Sequence, residues 1–228
     1  MDYVIPFTGV TTVEVKGTKQ RYPVRRIFLV GRNYAEHARE MGHDPDREPP
    51  FFFQKPADVL LPSGSDFPYP VKSSDVHHEI ELVVALGKGG TDIAESAAVD
   101  HVYGYAVGID MTRRDLQGEA KKMGRPWEVG KAFEHSAPIS PIVPAAQIGH
   151  PDKGRVWLEI NGKLRQEGDL AQLIWNIPET IAILSGLFTL APGDLIFTGT
   201  PAGVGPVTRG DHIKGGVEGV GEIETKVV

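Results

Sequence analysis

Apolar and polar residues alternate in short runs along most of this chain: "TTVEVKG" from Thr11, "RRIFLVG" from Arg25, "PFFFQK" from Pro50 and "IELVVALG" from Ile80. "GYAVGID" from Gly104, "VWLEING" from Val156, "DLIFTGT" from Asp194 and "GEIETKVV" from Gly221 continue the pattern. Alternation with period two, rich in β-branched and aromatic residues, predicts strands. Turn clusters such as "HDPDREPP", "LPSGSDFPYP" and "APGD" separate the runs, supplied by 27 Gly and 18 Pro. Asn161-Gly162 predicts a tight type I′ hairpin, because both central residues of that turn take positive φ. Helical spacing is rarer. It predicts a short helix in "NYAEHAREM", closed by Gly42, and another in "DIAESAAVDHV", where Asp92 and Glu95 have capping-box spacing. Two more are expected in "RDLQGEAKKMG", ending at Gly124, and in "PETIAILSGLF", with Pro178 in its first turn. Strands joined mainly by irregular connections predict an α+β, β-rich fold rather than a doubly wound sheet. No internal repeat, low-complexity segment or linker interrupts it, so one domain is expected.

One strand carries an electrostatic problem. In "HHEIELVVALG", His77 to Gly87, a continuous strand places His77, Glu79 and Glu81 on one face and His78, Ile80 and Leu82 on the other. The following Val83–Leu86 are all apolar, as in a strand entering a core. Two carboxylates about 6–7 Å apart repel by ~3 kcal/mol at an effective dielectric near 20, before any cost of desolvation. A shared proton, a basic neighbour or a metal cation must offset that. The apolar strand before Asp110 delivers a third carboxylate at its end. Glu79, Glu81 and Asp110 would form an all-oxygen site suited to Mg²⁺, Mn²⁺ or Ca²⁺. The same residues also suit the wet face of a one-sided sheet with Asp110 capping a turn. His77 reads as a neighbour rather than a ligand.

Other residues add chemistry around this core. His37 and Glu40 stand three apart on the first predicted helix, where a carboxylate would raise the basicity of the imidazole and fix its tautomer; an exposed surface pair has the same spacing. From Met111 to Lys131 there are six basic and three acidic residues, a local excess of +3 that would steer an anionic substrate. Within it Arg114 and Gln117 lie three apart just after Asp110, whereas Lys121, Lys122 and Arg125 read as a solvated helix face. "DLIFTGTPAGVG" ends a strand in a turn whose backbone amides suit a carboxylate. It lacks the spacing and following helix of a dinucleotide fingerprint, and no nucleophile elbow, zincin or Walker motif occurs.

Composition narrows the partners. The chain has 228 residues, 40% hydrophobic and 24% charged, as in an ordinary globular protein, and its net charge of −6 argues against nucleic-acid or anionic-membrane binding. No apolar run of about 20 residues is long enough to span a bilayer. The start "MDYVIPFTGV" has no signal-peptide pattern. There is no cysteine for a thiolate site. A cytoplasmic location is expected.

Seven segments, in this order, resemble the fumarylacetoacetate hydrolase family: "VGRNYAEHAREM", "FFFQKPADVLLP", "HHEIELVVALGK", "GYAVGIDMTRRDLQ", "GRPWEVGKAF", "INGKLRQEG" and "PGDLIFTGTPAGVGP". The chain is similar in size to the small acylpyruvate-hydrolase branch, without room for the extra N-terminal domain of the longer fumarylacetoacetases. "MGHDPDREPPFFFQKP" is most similar to the bacterial fumarylpyruvate hydrolase branch of gentisate degradation. The resemblance implies a mixed β-sandwich roll of the family's C-terminal-domain type over residues 24–228, with residues 1–23 as a strand segment packed on it. It implies a homodimer with one Mg²⁺ or Mn²⁺ per subunit, held by Glu79, Glu81 and Asp110. By the same matching His37 and Glu40 activate water, Lys131 and Gln117 stabilise an oxyanion, and Arg114, Lys55 and Thr200 contact substrate. The implied reaction is hydrolysis of a C–C bond in an anionic 2,4-dioxo acid, fumarylpyruvate giving fumarate and pyruvate. Acylpyruvase, oxaloacetate decarboxylase and dienoic diacid isomerase activities share the motifs, and a catalytically silent metal-binding protein is the alternative from another class.

Overall fold

The alternating runs fold as strands in the computed structural model, which describes residues 3–7, 9–36 and 48–228. In chain order these begin with β1 (Thr12–Glu14), β2 (Arg21–Pro23), β3 (Arg26–Gly31), β4 (Phe51–Lys55), β5 (Leu60–Pro62), β6 (Val76–His78) and β7 (Ile80–Leu86). They continue with β8 (Val102–Ile109), β9 (Thr112–Arg113), β10 (Ala137–Ile139), β11 (Val143–Pro144), β12 (Arg155–Ile160) and β13 (Lys163–Asp169). The last are β14 (Asp194–Phe197), β15 (Gly205–Val207), β16 (His212–Val217) and β17 (Gly221–Lys226). The largest sheet runs β4-β3-β14-β7-β8-β10-β5, with β11 also against β8. It is mixed: β3/β14 and β10/β5 are parallel and the other pairs antiparallel. Beside it lie a four-stranded sheet, β13-β12-β16-β17, a three-stranded one, β15-β6-β9, and the β1-β2 hairpin.

Strand β7 explains why "IELVVAL" is apolar on both faces. It is buried along its whole length. Its even residues Ile80, Leu82, Val84 and Leu86 join one core with Val156, Leu158, Ile213 and Ile223 of the four-stranded sheet and with Ile181 and Leu184. Its odd residues Val83 and Ala85 join a second core with Ile27, Leu29, Leu195 and Phe197. Val13, Val15, Tyr22 and Val24 of the N-terminal hairpin region cover that second core. The Tyr22 hydroxyl donates to the Leu86 carbonyl at 2.8 Å. A sheet covered on both sides needs apolar residues at both phases of the alternation.

The turn and helix expectations meet the structure unevenly. Asn161 and Gly162 take φ of 53° and 73°, as the hairpin requires. The helix Arg114–Lys122 forms in the expected place, followed by Gly124 at φ 61°. The helix Ile177–Leu187 starts one residue before Pro178, and its cap is a box not read from the sequence. The Asn176 side chain accepts the Glu179 N–H at 2.9 Å, and the Glu179 side chain accepts the Asn176 N–H at 3.0 Å. The expected α-helix from Asp92 is instead a 3₁₀-helix, Glu95–His101, without a side-chain cap. Asp92 has φ of 48°, outside the extended region in which an N-cap residue sits, so it cannot play that part. Most of the helix expected in "NYAEHAREM", including His37 and Glu40, lies outside the described residues.

Candidate active site

The strand carrying the two glutamates is not continuous. β6 pairs with β15 and β9, whereas β7 pairs with β14 and β8, and Glu79 is the residue where the chain passes between sheets. Asp110 occupies the matching gap between β8 and β9. The Asp110 N–H donates to the Glu79 carbonyl at 2.8 Å, which sets the two side by side. Glu81 follows on β7 opposite Gly108. Glu79, Glu81 and Asp110 are 6%, 2% and 1% exposed, which excludes the wet-face alternative. Each offers an oxygen within 4.8 Å of the others.

Three cations face these three carboxylates. Lys131 Nζ donates to Glu79 Oε2 at 2.9 Å, Asp110 Oδ2 at 2.5 Å and Thr112 Oγ1 at 2.7 Å. Arg114 pairs with Glu79 Oε1 and donates to Gln117 Oε1 at 2.7 Å. Lys55 Nζ lies 2.9 Å from Asp110 Oδ1, yet its hydrogen bonds run to the carbonyls of Met111, Ser136 and Lys131. Asp110 Oδ1 therefore has an ionic neighbour but no aligned hydrogen bond. Burial most strongly pulls the Lys131 ammonium down, but Asp110 and Glu79 outweigh it and hold the group above its ordinary value. Burial, followed by Asp110 and then Glu79, pushes the Glu81 carboxyl well above the usual carboxylate range.

The residues fit a divalent cation. The donor set is three buried carboxylates, each offering a hard oxygen within 4.8 Å of the others. Two ligands of one Mg²⁺ stand at most about 4.2 Å apart, from metal–oxygen distances near 2.1 Å, so little closure is needed. The cation would also favour the ionised form of Glu81, which burial beside two carboxylates opposes.

Glycines allow the close approaches that build the site. A Cβ at Gly130 would lie 2.8 Å from the Gln117 backbone, so only glycine lets the turn carrying Lys131 pack there. Gly199 has φ of 97° and donates its N–H to Glu81 Oε2 at 2.7 Å. The next residue, Thr200, lines the cavity. Its hydroxyl donates to the Ile80 carbonyl at 2.7 Å and accepts from Gln166 at 2.8 Å. Gln166 is in turn bonded to His78 Nδ1 at 2.8 Å.

Glu79, Glu81, Asp110, Arg114, Gln117, Lys131 and Thr200 thus meet around one cleft. Lys55 does not line it. It was expected to contact substrate; the structure places it behind Asp110, fully buried and tied to three carbonyls. Arg32, Phe51, Phe53, Lys121 and Trp127 also line the cleft, and sequence reasoning missed them. For Lys121 a signal existed: it follows Arg114 by seven residues and Gln117 by four, the same stripe of one helix. It is exposed, as expected of a solvated helix face, and also borders the cleft.

The chain belongs to the fumarylacetoacetate hydrolase family: residues 26–228 match the family model described as fumarylacetoacetate (FAA) hydrolase C-terminal. It is 52% identical to the fumarylpyruvate hydrolase of Pseudomonas aeruginosa, solved in complex with Mn²⁺ and pyruvate. That likeness covers 100% of this chain and 99% of that one, with a TM-score of 0.98. It is also 47% identical over 203 residues to the mitochondrial oxaloacetate tautomerase FAHD1 of Mus musculus, covering 89% of this chain and 91% of the relative. The mitochondrial oxaloacetate decarboxylase of Dictyostelium discoideum is 42% identical over 196 residues, 86% of this chain and 90% of the relative.

Proposed function

We propose that this protein is a metal-dependent hydrolase that cleaves the C3–C4 bond of a 2,4-dioxo acid, and that its substrate is fumarylpyruvate. The observation that carries the reading is the likeness along the whole chain to a fumarylpyruvate hydrolase, at a TM-score of 0.98. The charge balance of the site supports it. Around the triad three carboxylates face three cations, Lys55, Arg114 and Lys131, so a divalent ion would leave an excess of positive charge there for an anionic 2-oxo acid.

Glu79, Glu81 and Asp110 would hold the metal, Mg²⁺ or Mn²⁺. When bound, it would supply Lewis acidity to a 2-oxo acid. The rest is done by side chains. His37, oriented by Glu40, takes a proton from water as the oxygen adds to the C4 carbonyl. Lys131 exchanges one of its carboxylate bonds for the new oxyanion, with Gln117 beside it. The C3–C4 bond then breaks, its electron pair leaving with C3 as the enolate of pyruvate. A proton returns to C3, and the acyl part departs as fumarate. Arg114 and Thr200 hold the substrate, while Lys55 fixes Asp110 from behind. A lysine held protonated by two carboxylates does not act as a Schiff-base nucleophile. The homodimer expected from sequence belongs to the same proposal, and sedimentation velocity tests it.

A second reading has a specific support: the likeness to an oxaloacetate tautomerase and an oxaloacetate decarboxylase. Those reactions use the same enolate but no attacking water. Turnover of fumarylpyruvate, acetylpyruvate and oxaloacetate by one Mg²⁺-supplemented preparation decides between them. Hydrolysis predicts the largest kcat/KM on fumarylpyruvate, and an oxaloacetate activity exceeding it would replace the first reading by the second.

A further inference from the structure

One wall of the cleft carries two cations that the reaction above does not use. The rings of Phe53, Trp127 and Phe51 follow one another, with centroids 5.7 Å and 5.3 Å apart. Lys131 Nζ stands 5.2 Å over Phe53 at the carboxylate end. Further along, Lys121 Nζ stands 4.8 Å over Trp127, and Arg32 Cζ stands 4.9 Å over Phe51. Among the described residues neither Lys121 nor Arg32 forms an ion pair with a carboxylate. An aromatic face attracts a cation without neutralising it, so both charges are available to an anion in the cleft.

Arg32 is held there by its backbone. It takes φ of 57°, a conformation rare for a residue with a side chain and one that clusters at functional sites. Its neighbour Asn33 is fully buried and clamps the turn, donating to the Trp175 and Thr198 carbonyls at 2.9 and 2.8 Å. Asn33 also accepts the Trp175 N–H at 2.7 Å. On the other side the Phe51 ring lies directly on Gly31, where any side chain would meet it at 2.0 Å. A surface arginine that served only solubility would need neither the strained turn nor the clamp.

We infer that Lys121 and Arg32 form a second anion seat, which selects 2-oxo acids with a carboxylate at the far end over those with an uncharged tail. The 2-oxo acid end would lie at the divalent cation that the carboxylate triad fits, beside Lys131. The planar chain lies along Phe53, Trp127 and Phe51, and the distal carboxylate meets the two outer cations. This rests on the reading of the site as one for 2-oxo acids, but not on the reaction it performs.

Binding tests it without turnover. The probes are 2-oxoadipate and 2-oxohexanoate, which share a six-carbon chain and differ in the terminal carboxylate. Isothermal titration of the Mn²⁺-loaded protein is expected to give about tenfold tighter binding of 2-oxoadipate, the preference that one charge-assisted contact supports. K121Q and R32N are each expected to reduce that ratio several-fold, and the double variant to bring it to about one. Asparagine is chosen at 32 because it tolerates positive φ. K121R, which keeps the charge, is expected to keep the ratio, whereas a role in packing alone would not separate it from K121Q. Mn²⁺ affinity on the same preparations reports that the site is still folded. A ratio near one in the wild type, or a wild-type ratio surviving in the double variant, overturns the inference. Failure of the wild type to bind either acid overturns the 2-oxo acid reading beneath it, while a clear ratio without hydrolysis of any dioxo acid leaves the seat standing and removes only the proposed reaction.

Discussion

Replacing Lys131 by methionine removes a charge but little volume from the middle of the site. The ammonium is buried and donates to Glu79 at 2.9 Å, Asp110 at 2.5 Å and Thr112 at 2.7 Å. Breaking a buried ion pair by removing one partner costs about 3–5 kcal/mol. In Lys131→Met, three carboxylates would face only Lys55 and Arg114, a net charge of −1 in a desolvated site. That cost belongs to the metal-free protein. A divalent cation satisfies the same carboxylates, so the variant should recover stability as the site fills. Mn²⁺ stabilises the wild type as well, so the gap closes only as far as the variant binds it more tightly; a hundredfold lower Kd closes about 2.7 kcal/mol at saturation. The expected result is a metal-free variant less stable by about 3–5 kcal/mol, with most of the gap closed by saturating Mn²⁺. Mn²⁺ should accordingly bind the variant about a hundredfold more tightly than the wild type, because a competing positive charge is gone. Turnover should nevertheless fall by about 10²–10³, the usual effect of losing an oxyanion donor. Urea unfolding followed by tryptophan fluorescence, with chelator and with Mn²⁺, measures the two stabilities; titration calorimetry measures the affinity. A metal-free variant as stable as the wild type, or an Mn²⁺ increment equal in both proteins, would refute the coupling between Lys131 and the metal-binding carboxylates.

Three further outcomes can be measured on single variants. Glu79→Ala, Glu81→Ala and Asp110→Ala should each abolish turnover and weaken Mn²⁺ or Mg²⁺ binding by about 100-fold or more, since the remaining carboxylates no longer complete the site; undiminished affinity in all three would sink the ligand assignment. His37→Ala should lower kcat on a 2,4-dioxo acid by roughly 10²–10⁴ with Mn²⁺ affinity kept, and should affect oxaloacetate decarboxylation less, because no water attacks there. Equal loss of both activities would argue against water activation. Desolvation against the aromatic wall, and then the nearby Arg114, pull the Lys121 ammonium down to about 8. The group is charged below that value and neutral above it, so the preference for 2-oxoadipate should hold near pH 7 and decline as pH rises through 8. In Lys121→Arg the preference should persist, and the same decline in that variant would assign the titration elsewhere.

How far the site could be read from sequence depended on where each residue finds its partners. Glu79 and Glu81 stood out because two carboxylates in an apolar strand create a repulsion that something must offset, and Asp110 because a buried strand delivers it. The reading of one continuous strand failed at Glu79. The sheet change there is dictated by β9 and β15, which pair with β6 from 34 residues and more downstream in the chain. Lys55 was recognised as a site residue but not given its place, since its partners at Met111, Lys131 and Ser136 come from distant segments. The capping box of Asn176 and Glu179 was readable, and Pro178 drew attention from it. Arg32 carried no local signal at all. Its conformation follows from Asn33 bridging to Trp175 and Thr198, contacts that exist only once the fold is complete.

Hydrolysis, decarboxylation and tautomerisation of 2-oxo acids all develop an enolate beside the 2-oxo group, so one metal site can serve all of them. In the proposed mechanism Glu79, Glu81, Asp110 and Lys131 answer that shared charge and would not choose among the reactions. The choice falls to groups that act elsewhere on the substrate: a base that brings water to C4, and a seat that fixes what lies beyond it. Arg32 and Lys121 sit on separate elements, a turn after β3 and the helix Arg114–Lys122. Neither belongs to the carboxylate cluster. A substitution at either one can then change which acid is preferred while leaving the metal ligands and their buried hydrogen bonds untouched. On the proposed reading, substrate range would be adjustable at the aromatic wall, whereas the enolate chemistry would depend on the junction between sheets at Glu79 and Asp110.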